Sequence, residues 1–199
     1  ISDWYLETGA LLASPASNNK APSTKPTYNT NYLQLVPSGR TLPKHHTHDI
    51  FLNMIYSARE IITITSPYLM PTDEIIKALC SASARGVTVN LITTKKSDAK
   101  FVQLASEYNY SAFHEKGVKI FLYDEGLLHA KTMTVDNEIA MIGSLNLDMR
   151  SFFINFEICP FIYGESFCSK VKSLQNEYIS KSKLIDDAWL KNTSSRKIF

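Results

Sequence analysis

His129, Lys131 and Asp136 stand in the spacing His-x-Lys-x4-Asp, which puts an imidazole, an ammonium and a carboxylate on one short stretch of chain. Gly143-Ser144-x-Asn146 follows, and then Glu157 inside the apolar segment 156–162. A phosphodiester exchange needs this set of groups. Neutral imidazole attacks phosphorus near neutral pH. Fixed donors must offset the charge on the phosphoryl oxygens, and Lys131, Ser144 and Asn146 supply a cation, a hydroxyl and an amide. A second acidic group must protonate the leaving alkoxide. A carboxylate must also hold the imidazole in one tautomer. Glu157 is the candidate, because a carboxylate on an apolar strand is costly unless paired. Asn155 shares its face. The alternative for Glu157 is an exposed strand edge. The spacing alone arises by composition in on the order of one chain in a hundred, and its plain reading is then a solvated strand end. The conjunction with Gly-Ser-x-Asn and a buried Glu is far more specific.

The positioning elements can be read from periodicity. Residues 131–135 and 138–142 alternate as strands around Asp136-Asn137, a two-residue hairpin turn. Pairing outward from Val135 and Glu138 sets Lys131 opposite Ile142 and His129 opposite Ser144. His129, Lys131 and Ser144 then converge at the open end of the hairpin. Gly143 permits close backbone approach. Asn146 is placed to cap a helical turn through Asp148 and Arg150, and a helix start favours anions. Upstream, strands at 32–36, 61–65, 87–93 and 118–123 alternate with helices at 47–58, 72–85 and 97–117. Thr72 or Asp73 caps the second helix and Ser97 or Asp98 the third, whose Phe101, Leu104, Ala105, Tyr108 and Ala112 form one core stripe. A strand over 153–163 and a helix over 166–182 close the chain. This rhythm predicts an α/β domain with a mixed, mostly parallel β-sheet flanked by helices.

At these residues the chain resembles the phospholipase D superfamily, and within it most resembles the bacterial cardiolipin synthases. The resemblance is dense from Ile61 to Phe161. It includes Ser66-Pro-Tyr-Leu-Met-Pro71, Ala84-Arg-Gly-Val87, Leu128-His-Ala-Lys131, Gly143-Ser-Leu-Asn-Leu-Asp-Met-Arg-Ser151 and Asn155-Phe-Glu157. It implies the family's αβα sandwich and a two-step transfer through a phosphohistidine, shared between two such motifs. One motif is present here, so a missing N-terminal module or a second identical chain would supply the other. By the resemblance, Lys131 and Asn146 contact phosphate, Glu157 orients His129, and Asp136 orders the motif rather than touching substrate. Whether His129 is nucleophile or acid/base stays open in the residues; the family pattern gives the second-module histidine the acid/base role. The implied reaction joins two phosphatidylglycerols and releases glycerol, at the cytoplasmic face of the cell membrane, without a cofactor. A phosphodiesterase or endonuclease active as a homodimer is the alternative. Arg40 after Ser38-Gly39 and the loop 69–72 depart from the family pattern, which bears on substrate choice.

The remaining features set limits. The 199 residues carry a formal net charge of +2, which weighs against nucleic acid and leaves room for an anionic phospholipid and a membrane surface as partners. Residues 1–30 read as the tail of a preceding module plus a Ser/Pro/Asn-rich linker, and 31–199 as the catalytic domain. Cys80, Cys159 and Cys168 form no framework and read as reduced structural thiols. His45-His46-x-His48 suits no metal well and reads as a solvated loop. Tyr68, in a loop after a strand, is a possible pocket residue, with packing under the sheet as its alternative; Lys95-Lys96 lies near the same crevice or in solvent. His114 is expected to be exposed.

Overall fold

The computed structural model describes residues 7–10, 31–39, 45–96 and 100–194. The linker expected at 13–30, the helix cap at Ser97 or Asp98 and the side chain of Phe101 lie outside the described residues. The chain divides between Thr30 and Asn31, and the second unit carries the architecture. Its centre is built from β2 (Ile61–Thr65), β4 (Thr88–Thr94) and β5 (Lys119–Tyr123), β-branched and mostly buried runs that pair in parallel. Strands covered on both faces favour such apolar runs. To one side of β2 lie β6 (Thr132–Val135), β7 (Ile139–Ile142), β9 (Glu157–Tyr163) and the edge strand β1 (Tyr32–Ser38). The far edge beyond β5 is β10 (Ser182–Leu184), and the whole order is β1-β9-β7-β6-β2-β4-β5-β10. A two-stranded sheet pairs β3 (Leu69–Met70) with β8 (Leu147–Asp148) in parallel.

The sheet is mixed and flanked by helices as the sequence implies, but parallel pairing is confined to β2-β4-β5. The pairs β6–β2, β6–β7, β7–β9, β1–β9 and β5–β10 are antiparallel. The reason is local: parallel strands need a long crossover, whereas β6 and β7 are joined by a tight turn. Pro37, which has no N–H to donate, is tolerated because β1 is an edge strand.

Helices α1 (His46–Ser57) and α2 (Asp73–Ala84) pack together over one face, burying Phe51, Met54, Ile55, Ile75, Ala78, Leu79 and Ala82. Thr72 caps α2, accepting from the Ile75 N–H at 3.3 Å. Helix α6 (Glu165–Ser180) crosses the opposite face. Its Gln175 is fully buried and threads the strands: its amide donates to the Thr63 carbonyl at 3.1 Å and to Thr132 Oγ1 at 3.0 Å, and accepts from Thr134 Oγ1 at 2.7 Å. Gln175→Leu strands those groups in the interior. We expect a loss of about 3 kcal/mol, read by urea unfolding with an unchanged m-value.

The long helix expected over 97–117 is two helices, α3 (Lys100–Tyr108) and α4 (Tyr110–Glu115), separated at Asn109. The break changes the buried face. Ser106, Tyr110 and Phe113 point inward, while Leu104, Ala105, Tyr108 and Ala112 are exposed, Tyr108 at 80%. Ser106 is drawn in by polar partners: its hydroxyl accepts from the Leu69 N–H at 3.2 Å and donates to the Val102 carbonyl at 2.9 Å. The segment expected as one strand over 153–163 begins instead with helix α5 (Met149–Phe153), and β9 starts at Glu157. Helix α7 (Asp187–Ser194) ends the described chain. His114 is half-buried, bonded to Asp187 at 2.8 Å.

Candidate active site

The turn between β6 and β7 places both Asp136 (φ 51°) and Asn137 (φ 59°) in the left-handed region that a tight hairpin requires. Glu138 nevertheless stays in the turn. Its carbonyl accepts from Gly164 at 2.9 Å instead of pairing with β6. The register therefore steps by one residue, with Val135 opposite Ile139 and Thr132 opposite Ile142. The expected Lys131–Ile142 and His129–Ser144 pairs are corrected accordingly: Lys131 lies opposite Gly143, whose N–H donates to its carbonyl at 3.1 Å.

Asp136 is a pin at the far end of the hairpin. Its carboxylate accepts from the backbone N–H groups of Arg59 (2.7 Å), Glu60 (2.8 Å) and Ile61 (2.9 Å). About 16 Å of strand separates it from Lys131. Asp136→Ala should cost about 2 kcal/mol, seen as a lower melting temperature, with phosphate binding at Lys131 unchanged.

At the open end, Lys131 Nζ lies 3.0 Å from His129 Nδ1 and donates to the His129 carbonyl at 2.7 Å. Lys131 is only 8% exposed. Burial holds its ammonium below the ordinary lysine value, against the opposing pull of Glu157 and Asp148. Glu157 opens β9, and its carboxylate accepts from Ser144 Oγ and, at 3.2 Å, from Asn155 Nδ2. The bond expected from Glu157 to the His129 ring is not made; Ser144 and Asn155 hold the carboxylate, and the ring's partner is Lys131. Ser144 also locks the strand: its N–H donates to the Ile158 carbonyl at 3.1 Å, and its hydroxyl accepts from the Ile158 N–H at 3.0 Å. Its single hydroxyl proton is directed at Glu157, so Ser144 positions that carboxylate. Asn146 has a buried side-chain oxygen without a hydrogen-bond partner among the described residues.

Helix α5 is capped by Asp148 rather than Asn146. The Asp148 carboxylate accepts from the Ser151 N–H at 2.7 Å. Asp148 was missed as a site residue, although a buried acid beside Gly-Ser-x-Asn demands a partner. Ser66 ties the loop after β2 to this segment, accepting from the Leu147 N–H at 3.0 Å and donating to the Tyr68 carbonyl at 2.8 Å. Tyr68 itself is half-buried in that loop. Taken together, an imidazole, a desolvated ammonium, a buried amide and two carboxylates gather where β6, β7, β8 and β9 begin or end. That arrangement offers an imidazole, a cation and an amide to a phosphate group.

Of the histidine run expected as a solvated loop, His45 and His46 are exposed, but His48 is buried and the helix begins at His46. His45 precedes α1 in the left-handed region (φ 72°), and His46 begins the helix. His48 is buried, with Nε2 2.8 Å from Thr72 Oγ1, an edge contact to Phe152 and a tilted ring contact to Phe153. Among the described residues, no group of three or more His, Cys, Asp and Glu side chains is placed to hold a metal ion. Burial lowers the His48 pKa; Glu74 and Asp49 pull it up, and His45 lowers it further. The unfolded chain therefore takes up this proton more readily, and stability falls as pH drops through the unfolded value of about 6.5. The melting temperature should fall between pH 7 and pH 5 more steeply for the native sequence than for His48→Gln.

Comparison with known proteins places these residues in context. The family model described as the phospholipase D-like domain of cardiolipin synthase matches residues 51–178. Cardiolipin synthase A of Buchnera aphidicola subsp. Schizaphis graminum is 39% identical over 197 residues, covering 99% of this chain and 40% of the relative. The Serratia proteamaculans protein of that name is 38% identical over 191 residues, covering 95% and 39%. The chain thus spans about 40% of the length of these curated relatives. Among solved structures, Nuc, a phospholipase D family member from Salmonella typhimurium, superposes with a TM-score of 0.67 at 21% identity, covering 79% of this chain and 100% of that one. A phosphatidylserine synthase from Haemophilus influenzae reaches 0.66 at 16% identity, covering 79% and 40%. These two share the fold.

Proposed function

This chain belongs to the family of phospholipase D-like domains of cardiolipin synthase, and from that premise we propose that it supplies one half-site of a phosphatidyltransferase. The observation that carries the reading is the pairing of His129 with a desolvated Lys131 beside Glu157 and Asp148, with one such motif in the chain. In the first step an imidazole nitrogen attacks the phosphorus of one phosphatidylglycerol. The bond to the glycerol oxygen breaks, and a second histidine donates the proton that glycerol carries away. In the second step the hydroxyl of another phosphatidylglycerol attacks the phosphohistidine, gives its proton to that second histidine and displaces the first, forming cardiolipin. Lys131 and Asn146 offset the phosphoryl charge in both steps. His129 takes the acid/base role, and Asp148 and Glu157 keep the Lys131 ammonium charged.

One histidine cannot serve both ends of the phosphorus, so the partner is a preceding module or a second copy of this chain. Residues 1–30 would be the end of that module and a linker. The exposed Leu33, Leu35, Ile142, Phe156 and Ile158 around the β1–β9–β7 edge support a docked partner, because a protein surface rarely leaves such a group open to water. No described helix is long and apolar enough to cross a membrane. Action on lipid at the cytoplasmic face therefore rests on peripheral contact by this domain or on other parts of the protein. The test is to supply the full-length gene product with labelled phosphatidylglycerol in mixed micelles. Cardiolipin and one equivalent of glycerol are expected, and absence of product rejects the reading. A second reading, a phosphodiesterase built from two identical chains, is favoured by one observation: this chain covers the whole of Nuc. Hydrolysis of a simple diester by a dimer of this chain alone would select it.

A further inference from the structure

Beside the site, a cavity of about 260 Å³ opens at the start of α1. It lies just below the ~300–1,000 Å³ range of drug-sized ligand cavities, a size suited to a headgroup fragment. Its walls carry polar groups with nothing to bind. Thr47 is 1% exposed and Ser38 is 9% exposed, and neither hydroxyl has a hydrogen-bond partner among the described residues. Buried hydroxyls are ordinarily satisfied, so two orphans in one cavity point to a polar occupant. The amino end of α1, a helix of 12 residues without a side-chain cap, borders the same space, which His46 and Thr47 of its first turn line. The imidazoles of His45 and His46 add two more donors, and Phe152 and Phe153 close the apolar side. Asp49, the acid of that first turn, lines the neighbouring groove instead.

The cavity adjoins the candidate active site. Ser38 lies directly opposite Glu157 across the β1–β9 pair, which sets their Cβ atoms about 5 Å apart on one face. The Glu157 oxygens are engaged by Ser144 and Asn155 rather than by the cavity's hydroxyls. We propose that this cavity is a second oxyanion subsite, which holds the phosphodiester of the acceptor lipid while its hydroxyl gives its proton to His129 and attacks the phosphoryl group on the partner histidine. The inference rests on the transferase reading. Two negative lipids would then be gripped by separate donor sets, and a water molecule, having no phosphate, would gain nothing from the second.

The test uses two soluble probes, inorganic phosphate and glycerophosphoglycerol, titrated into the nitrogen-15-labelled chain. With glycerophosphoglycerol, the amide signals of His46, Thr47 and His48 should shift along a saturation curve distinct from that of Lys131 and Asn146. Thr47→Val combined with Ser38→Ala should weaken the first curve at least about tenfold and leave the second. If Thr47→Val disturbs the helix, Ser38→Ala alone reads the same loss. In the full-length gene product, the double variant should raise KM for phosphatidylglycerol as acceptor about tenfold, with transfer to added glycerol unchanged. Shifts at Lys131 with none at His46–His48 overturn the subsite. A response to inorganic phosphate with none to glycerophosphoglycerol overturns its assignment to a lipid. Shifts at His46–His48 with none at Lys131 keep the subsite and reject the active-site reading.

Discussion

His129→Ala should lower turnover on phosphatidylglycerol by about 10⁴-fold while shifting the melting temperature by no more than a few degrees. The ring is exposed, so little packing is lost. Lys131 keeps its 2.7 Å bond to the His129 carbonyl, which the substitution preserves. The catalytic loss thus separates cleanly from any structural one. A p-nitrophenyl diester distinguishes the two roles open to the imidazole. Its leaving group needs no proton, so the variant should still release a burst of one equivalent if His129 is the acid. No burst is expected if His129 is the nucleophile. Turnover of the lipid within tenfold of the native rate would remove His129 from the reaction.

Gly143→Ala is expected to be the most damaging small substitution in the domain. A Cβ there would sit 2.6 Å from the Ile158 carbonyl oxygen and 3.2 Å from Cys159 Cα. Both are backbone atoms of β9, so relief requires prying β7 and β9 apart. Overpacking of this kind costs about 1–3 kcal/mol, and the upper end is expected here. The same displacement moves Ser144 away from Ile158 and Glu157, the contacts that fix the carboxylate beside Lys131. A misplacement of about 1 Å costs on the order of 10²-fold in rate. Turnover should therefore fall by that amount even at temperatures where the variant is fully folded. A normal rate in a folded Gly143→Ala protein would show that Glu157 placement is unimportant.

Much of this layout was legible in the residues. Thr72 capping α2, the left-handed pair Asp136-Asn137, and the proximity of His129 to Lys131 all follow from local chemistry, which neighbouring residues dictate. What escaped depended on partners distant in sequence. The hairpin register shifted because the Glu138 carbonyl answers to Gly164, which caps the helix after β9. The core stripe of the long helix rotated because Ser106 bonds to Leu69 and the helix breaks at Asn109. Asp148 displaced Asn146 as the cap of α5, as two candidates two residues apart with equal capping chemistry allow. The burial of His48 escaped because its partners, Thr72, Phe152 and Phe153, are distant in sequence. The sheet read as mostly parallel because its early segments do pair so, and the strands that reverse the count arrive late in the chain.

The amide of Gln175 has a consequence for how the back of the domain assembles. Greasy side chains on α6 could settle over the strands in several neighbouring placements of similar energy. An amide that must meet the Thr63 carbonyl and the hydroxyls of Thr132 and Thr134 finds all three in one placement only. Sliding the helix by a single turn, ~5.4 Å, would maroon every one of them in a dry interior. The residue acts as a detent: it selects one seating of the helix, and with it one alignment of β6, the strand that presents Lys131.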